Sequence, residues 1–244
     1  IISYYNVNRT VTSELEKNEN KQEELYDEKL QAYVKTLNLS LPIFKDFEQW
    51  FIKQEIKENA LKVNQGNLSL FLPALKNVRN AIERYLTKIE PNKFGKINIL
   101  RESEIKANFS EDINEYLSIE KEGDILKFTQ LSSGEKMVIL LVADIARRLT
   151  IANENSEDAL NGEGIVLIDE LELHLHPNWQ LKIVKALMAT FPNIQFIATT
   201  HSPEIISNLE QQNVLVLENG EVFNISQNPL GRDTNSILEE IMDS

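Results

Sequence analysis

Cysteine is absent from the 244 residues, which excludes disulfides and thiolate metal centres and permits a reducing compartment. Positive charge is in deficit, with 25 Lys and Arg against 38 Asp and Glu and a net charge of -13. A field of that sign argues against whole-surface, nonspecific attraction to nucleic acid and leaves room for a local basic groove. No apolar run approaches the roughly 20 residues that span a bilayer, and no charged-then-apolar leader precedes a cleavage site. No membrane partner is therefore expected, and the cytoplasm is the default location. What is present is a composition of 42% hydrophobic and 26% charged residues. That is too apolar for disorder and sufficient for one large domain, or one domain with a sizeable insertion. The chain opens on Ile1-Ile2-Ser3-Tyr4-Tyr5, which reads as a buried strand without an initiator methionine, as expected of a chain that begins inside a longer protein.

Asn6 and Asn8 mark the exit from that strand. From Thr12 to about Asn38 the chain is rich in Glu, Lys, Gln and Asn, with Leu15, Leu25, Leu30, Val34 and Leu37 widely spaced. That pattern predicts an exposed helix with a thin apolar stripe, opened by a Ser13/Glu16 capping box. A second helix is expected from Pro42 to Val63, stopped at Gly66. A third runs from Leu68 to Ile89 on apolar residues three or four apart, about 35 Å long, with Pro73 near its first turn. After Asn92 the period falls to two at Ile97, Ile99, Ile105, Ile125, Leu126 and Phe128, giving short antiparallel strands. Ser133 to Leu149 is a helix so apolar that it must be buried, although its Arg147 and Arg148 read as surface or interface charges. Apolar strands at Ile165–Ile168, Gln195–Thr199 and Val214–Leu217 then alternate with helices from Pro177 and Pro203, the rhythm of a parallel α/β sheet.

Three motifs carry chemistry. Gly164-Ile165-Val166-Leu167-Ile168 is a buried strand delivering Asp169 and Glu170 at its C-terminal end, where ligands of open α/β sheets bind. An aspartate there can hold Mg²⁺ and the following carboxylate can orient or deprotonate a water, although a strand stopped by two charges is also common. Leu131-Ser132-Ser133-Gly134-Glu135 precedes the buried helix, and its hydroxyls and free N–H groups make either an anion site or an ordinary N-cap. Phe196-Ile197-Ala198-Thr199-Thr200-His201-Ser202-Pro203 ends a second strand in a histidine able to reach the same crevice.

In this order and spacing the three resemble ABC-type ATPases of the RecF/SMC branch. Ile168-Asp169-Glu170-Leu171-Glu172-Leu173-His174-Leu175-His176-Pro177 is especially similar to stand-alone ATPases of bacterial defence islands, including the Septu type that acts with an HNH nuclease, sometimes beside a retron. Tyr4 to Arg9 and Gly231 to Ser236 are similar to the same group. The resemblance covers residues 1 to 11 and 125 to 242. It implies an α/β head with signature residues Ser132, Ser133, Gly134 and Glu135 binding ATP held by the opposite subunit. It further implies Asp169 as the Mg²⁺ ligand through water, Glu170 as general base, and His201 as sensor of the γ-phosphate. His174, Leu175, His176 and Pro177 would form the D-loop at a dimer interface. The implied partners are a second copy, clamped around ATP and open to larger assemblies, and an HNH-type nuclease or other effector, with a DNA, RNA or reverse-transcriptase complex also open.

On this resemblance residues 1–12 end an N-terminal ATPase lobe, 13–95 form a helical insertion, and 96–130 are the antiparallel strands of the head. Residues 131–234 are the lobe bearing the three motifs, and 235–244 form a C-terminal helix leading onward. The pattern departs from the family in one place: Gly-x4-Gly-Lys-Ser/Thr, the phosphate-cradling loop, does not occur among the 244 residues. An upstream lobe carrying it is the expectation, and a pseudo-ATPase scaffold or a DNA-repair ATPase is the alternative. A metal-dependent nuclease is a third reading. Glu170, Glu172, His174 and His176 would share one face if the strand continued, but His-Leu-His-Pro fits a turn better than a metal site.

Overall fold

The structure, a computed structural model, describes residues 1–6, 43–105, 111–153, 156 and 158–237. The helix expected over 12–38, with its Ser13/Glu16 box, and the end of the chain after Ile237 lie outside the described residues.

Three parallel strands position the motifs. Ile2–Tyr5 (β1), Gly164–Ile168 (β5) and Ile194–Ala198 (β6) pair in the order β1-β5-β6. Their apolar runs are short and bounded by turns, as buried parallel strands require. One face, with Ser3, Tyr5, Val166, Ile168 and Ile194, is buried. On the other, Ile2 and Ile197 are 53% and 50% exposed, so β1 alternates where a strand buried throughout was expected.

The buried face meets Ser133–Ala152 (α3), whose apolar surface extends almost all round: Val138, Ile139, Val142, Ile145 and Leu149 are each at most 1% exposed. At about 1.5–3 kcal/mol per buried aliphatic side chain, this helix is a principal anchor of the core. Ile43–Gln65 (α1) and Pro73–Ile89 (α2) share that core, with Phe47, Phe51, Leu75, Val78, Tyr85 and Ile89 in one cluster with the α3 residues. Gly66, at φ 60°, ends the α1 region. α2 is shorter than the periodicity predicted. It starts at Pro73, so its 17 residues span about 26 Å, and Leu68 and Phe71 precede it, 83% and 56% exposed. Proline fits the first turn, where its missing N–H has no helical partner to lose.

Phe94–Ile105 (β2), Glu111–Lys121 (β3) and Asp124–Lys127 (β4) make an antiparallel sheet in sequence order. Ile97 opposes Ile119 and Ile99 opposes Leu117. The β3–β4 hairpin turns on Glu122 and Gly123, both at positive φ. Phe128 falls in a 3₁₀ turn rather than in a strand. Pro177–Thr190 (α4) follows β5, and Pro203–Ile206 (α5) follows β6. The strand expected at Val214–Leu217 does not join the parallel sheet. Leu215–Glu218 (β7) pairs antiparallel with Glu221–Asn224 (β8) across Asn219-Gly220, a two-residue turn with both residues at positive φ. Thr234–Ile237 (α6) is the last described element. Among the described residues no helix is long and apolar enough to cross a membrane.

Candidate functional site

The C-terminal ends of β5 and β6 lie side by side, and the backbone there is interlocked. Asp169 N–H donates to Tyr5 O at 2.8 Å, Thr199 N–H to Ile168 O at 2.9 Å, and Leu171 N–H to Thr199 O at 3.0 Å. Glu170 leaves the strand at φ 47°, a left-handed turn that a non-glycine residue adopts only at a cost. Thr199 holds both acids: its hydroxyl donates to Asp169 Oδ1 at 2.6 Å and accepts from Glu170 N–H at 2.9 Å. Glu172 ties down the following loop, accepting from the Thr200 hydroxyl and from His201 N–H, each at 2.6 Å. The His201 imidazole is exposed. Ser202 caps α5 by accepting from Ile205 N–H at 3.1 Å and lies 2.7 Å from Gln180 Oε1. The sequence motifs named Asp169, Glu170 and His201; the links through Thr199 and Glu172 were not foreseen. Two threonines directly ahead of His201 were the available signal.

The Ser132–Glu135 turn opens α3. Ser132 Oγ accepts from Glu135 N–H at 3.3 Å and Glu135 Oε2 accepts from Ser132 N–H at 3.0 Å, a reciprocal capping box. Glu135 also pairs with Lys121 Nζ at 2.9 Å. Burial raises its carboxyl pKa, but the Lys121 and Ser132 bonds outweigh burial and leave it below the ordinary value. Ser132 and Ser133 are exposed, whereas Gly134 is buried against the His174–Leu175 backbone. A Cβ at 134 would collide with the His174 carbonyl oxygen. The structure thus brings the Ser-Ser-Gly turn and the 174–177 turn together within one chain.

In that second turn His174 has φ 62° and is exposed, and Leu175 is buried. His176 is the N-cap of α4, its Nδ1 accepting from Asn178 N–H at 3.3 Å ahead of Pro177. The strand stops before Glu170, so the shared face of Glu170, Glu172, His174 and His176 does not form. Among the described residues no group of three or more His, Cys, Asp or Glu is placed to hold a metal by itself. At Asp169 the site offers a carboxylate oriented by the Thr199 hydroxyl, an oxygen group that suits Mg²⁺ held through water.

Behind the site lies a buried ionic unit. Asp144 Oδ2 accepts from the Tyr5 hydroxyl at 2.9 Å and from Arg148 Nε at 2.7 Å, while Oδ1 pairs with Arg147 at 2.9 Å. Arg148 is 6% exposed, which corrects the reading of it as a surface charge. Burial raises the Asp144 pKa, but the two guanidiniums reverse this and hold it well below the usual carboxylate range. Burial pushes the Tyr5 hydroxyl up, with Asp144 adding to the rise.

The family described as "AAA domain, putative AbiEii toxin, Type IV TA system" matches residues 19–207, more than half of the chain. The chain belongs to this AAA family. Similar proteins include "Retron Ec83 probable ATPase" of Escherichia coli, 47% identical over 52% of the AAA-family chain and 23% of the relative. They also include "Septu protein PtuA" of Bacillus thuringiensis, 28% identical over 82% of the chain and 48% of the relative. The AAA-family chain therefore spans about a quarter to a half of these relatives' own length. These are the groups that the wording of residues 168–177 resembles. Among solved structures, one from work on ATP-driven dimerization and DNA-stimulated activation of SMC ATPases is similar at 17% identity. It covers 69% of this chain and 93% of that one, with a TM-score of 0.44.

Proposed function

We propose that the protein is an ATPase whose head pairs with a second copy around ATP and thereby controls a partner effector in bacterial anti-phage defence. The observation that carries the reading is the meeting of Asp169, Glu170 and His201 at two adjacent strand ends, with Thr199 bonded to the first two. The retron and Septu relatives support the setting. Resemblance to the Septu type points to an HNH-type nuclease as the effector.

Bound Mg²⁺ would neutralise charge developing on the phosphates, with Asp169 as its holder through water. Thr199 keeps the Asp169 carboxylate aimed out of the strand end. Glu170 takes the proton of the attacking water, its left-handed backbone setting its side chain apart from that of Asp169. His201, on a loop fixed by Glu172, donates to the γ-phosphate. The exposed Ser132 and Ser133 of the second copy, with the adjoining Gly134 backbone, offer hydroxyls and N–H groups at the positive end of α3. Because Gly134 packs on His174, movement of the 170–176 turn after hydrolysis would shift the serines that grip the other copy's nucleotide.

Glu170→Gln in the full-length protein tests the assignment. Turnover of ATP should fall about 10²- to 10⁴-fold, while ATP-dependent dimerisation, followed by light scattering, persists. Unchanged turnover would remove Glu170 as the base.

A further inference from the structure

The α2 face is charged unlike the rest of the molecule. α2 carries Lys76, Arg79, Arg84 and Lys88 against one acid, Glu83, in a chain of net charge -13. Three concavities of about 860, 460 and 590 Å³ lie along it and adjoin at Asn80, which lines all three. Lys76, Arg84 and Lys88 are exposed and have no ion pair among the described residues. Of the acids along the groove, Glu55 and Glu58 are tied to Arg79, with Arg101 and Lys62 as further partners. Asp158, its carboxylate bonded only to the neutral Asn161 amide among the described residues, and Glu83 keep their negative charges. Among the described lining residues, the exposed cations Lys76, Arg84 and Lys88 outnumber these two acids.

The 860 Å³ end has the features of an anion site. The first turn of α2 borders it through Pro73, Lys76 and Asn77, and no side chain of the N-cap residue Leu72 satisfies the first N–H groups. Glu58 meets the N–H of Leu72 itself, at 2.8 Å. Asn77 is 8% exposed and lines the concavity, and its amide makes no hydrogen bond among the described residues. Along the 460 Å³ stretch the buried Arg79 Nε is likewise unpartnered. Phe71, 56% exposed, lines both stretches, and the Lys62 ammonium sits 5.0 Å from its ring centroid.

We propose that this groove binds a single strand of nucleic acid. Its phosphates follow Lys76, Arg84 and Lys88, which span about 18 Å of helix. A base stacks on Phe71, and the Asn77 amide meets a base edge or a phosphate oxygen. Basic residues tracking a backbone, with an aromatic ring for a base, are the means by which single strands are held. An acidic peptide would satisfy the cations but leaves the exposed side of the Phe71 ring without a stacking partner. The site uses none of Asp169, Glu170 and His201, so it stands or falls separately from the ATPase reading.

Fluorescence anisotropy of labelled dT and U oligonucleotides of about 20 nucleotides, titrated with the full-length protein at several salt concentrations, tests the proposal. Tighter binding of dT assigns the groove to DNA, and tighter binding of U assigns it to RNA. Neutralising all three cations (Lys76→Gln, Arg84→Gln, Lys88→Gln) should reduce the log–log salt slope by about 2, at roughly 0.7 per contact on a single strand. Phe71→Ala should weaken binding about five-fold or more and leave the slope unchanged. Glu170→Gln and the α1 control Lys53→Gln/Lys57→Gln should bind as the natural protein does, and all variants should keep its melting temperature. An unchanged slope in the triple variant, equal loss in the control, or no binding of either oligonucleotide would overturn the proposal. Competition by poly-glutamate as effective as by dT would overturn it in favour of an acidic protein partner.

Discussion

Asp144 and Glu172 are both acids with several partners, but the partners differ in kind. Asp144 is 2% exposed and held by two guanidiniums and a phenol. Glu172 is half-buried and held by a hydroxyl and a backbone N–H. The first is a closed ionic unit that fastens β1 to α3, with its charge cancelled where it stands. The second fixes the His201 loop through neutral donors, so its negative charge persists in the turn shared with Asp169 and Glu170. Cancelled charge inside the core serves assembly; persistent charge at the strand ends serves chemistry.

Removing Asp144 should break the comparison hardest. Asp144→Ala leaves Arg148 buried without its acid and should cost about 3–5 kcal/mol in denaturant unfolding. A loss near zero would mean that the unit fastens nothing. The pH dependence has a definite sign. Because the folded Asp144 pKa is depressed, its contribution is complete above the unfolded value of about 3.9 and is lost as pH falls toward the folded one. The natural protein should therefore lose stability below about pH 4 more steeply than Asp144→Ala. Glu172→Ala removes two bonds to a charged acceptor and should cost about 2 kcal/mol, with ATP turnover falling more than stability explains. If stability and turnover fall in step, Glu172 is structural in the same sense as Asp144. Gly134→Ala, which sets a methyl against the His174 carbonyl, should cost about 1–2 kcal/mol without altering the response to pH. His176→Ala, the loss of an exposed cap at 3.3 Å, should cost about 0.5 kcal/mol, measurable as a small drop in Tm.

The strand ends were legible because short apolar runs stop on charged or polar residues at 169 and 199–201, and α3 because its apolar residues leave almost no polar face. The start of α2 was misread because Leu68 and Phe71 continue the helical spacing, and spacing says nothing about where a proline must begin the helix. β3 was hidden by Glu111, Asp112, Glu115 and Glu120, which outnumber the buried pair Leu117 and Ile119. Asn219-Gly220 could have revealed the β7–β8 hairpin, since that dipeptide favours the tight turn seen. The ionic unit was half-legible: Asp144 stands three and four residues before Arg147 and Arg148, but Tyr5 comes from the far end of the chain. The bonds of Thr199 and Glu172 depend on the two strand ends lying side by side, which local pattern does not encode.

The contact at Gly134 also limits how this protein can be repaired by a second mutation. A side chain at 134 meets a carbonyl oxygen, an atom that every residue type at 174 supplies equally. No substitution at 174 removes it. A screen for suppressors of a larger residue at 134 should therefore recover insertions, deletions or glycines that reshape the 170–176 turn, glycine at 174 included, and select no particular side chain there.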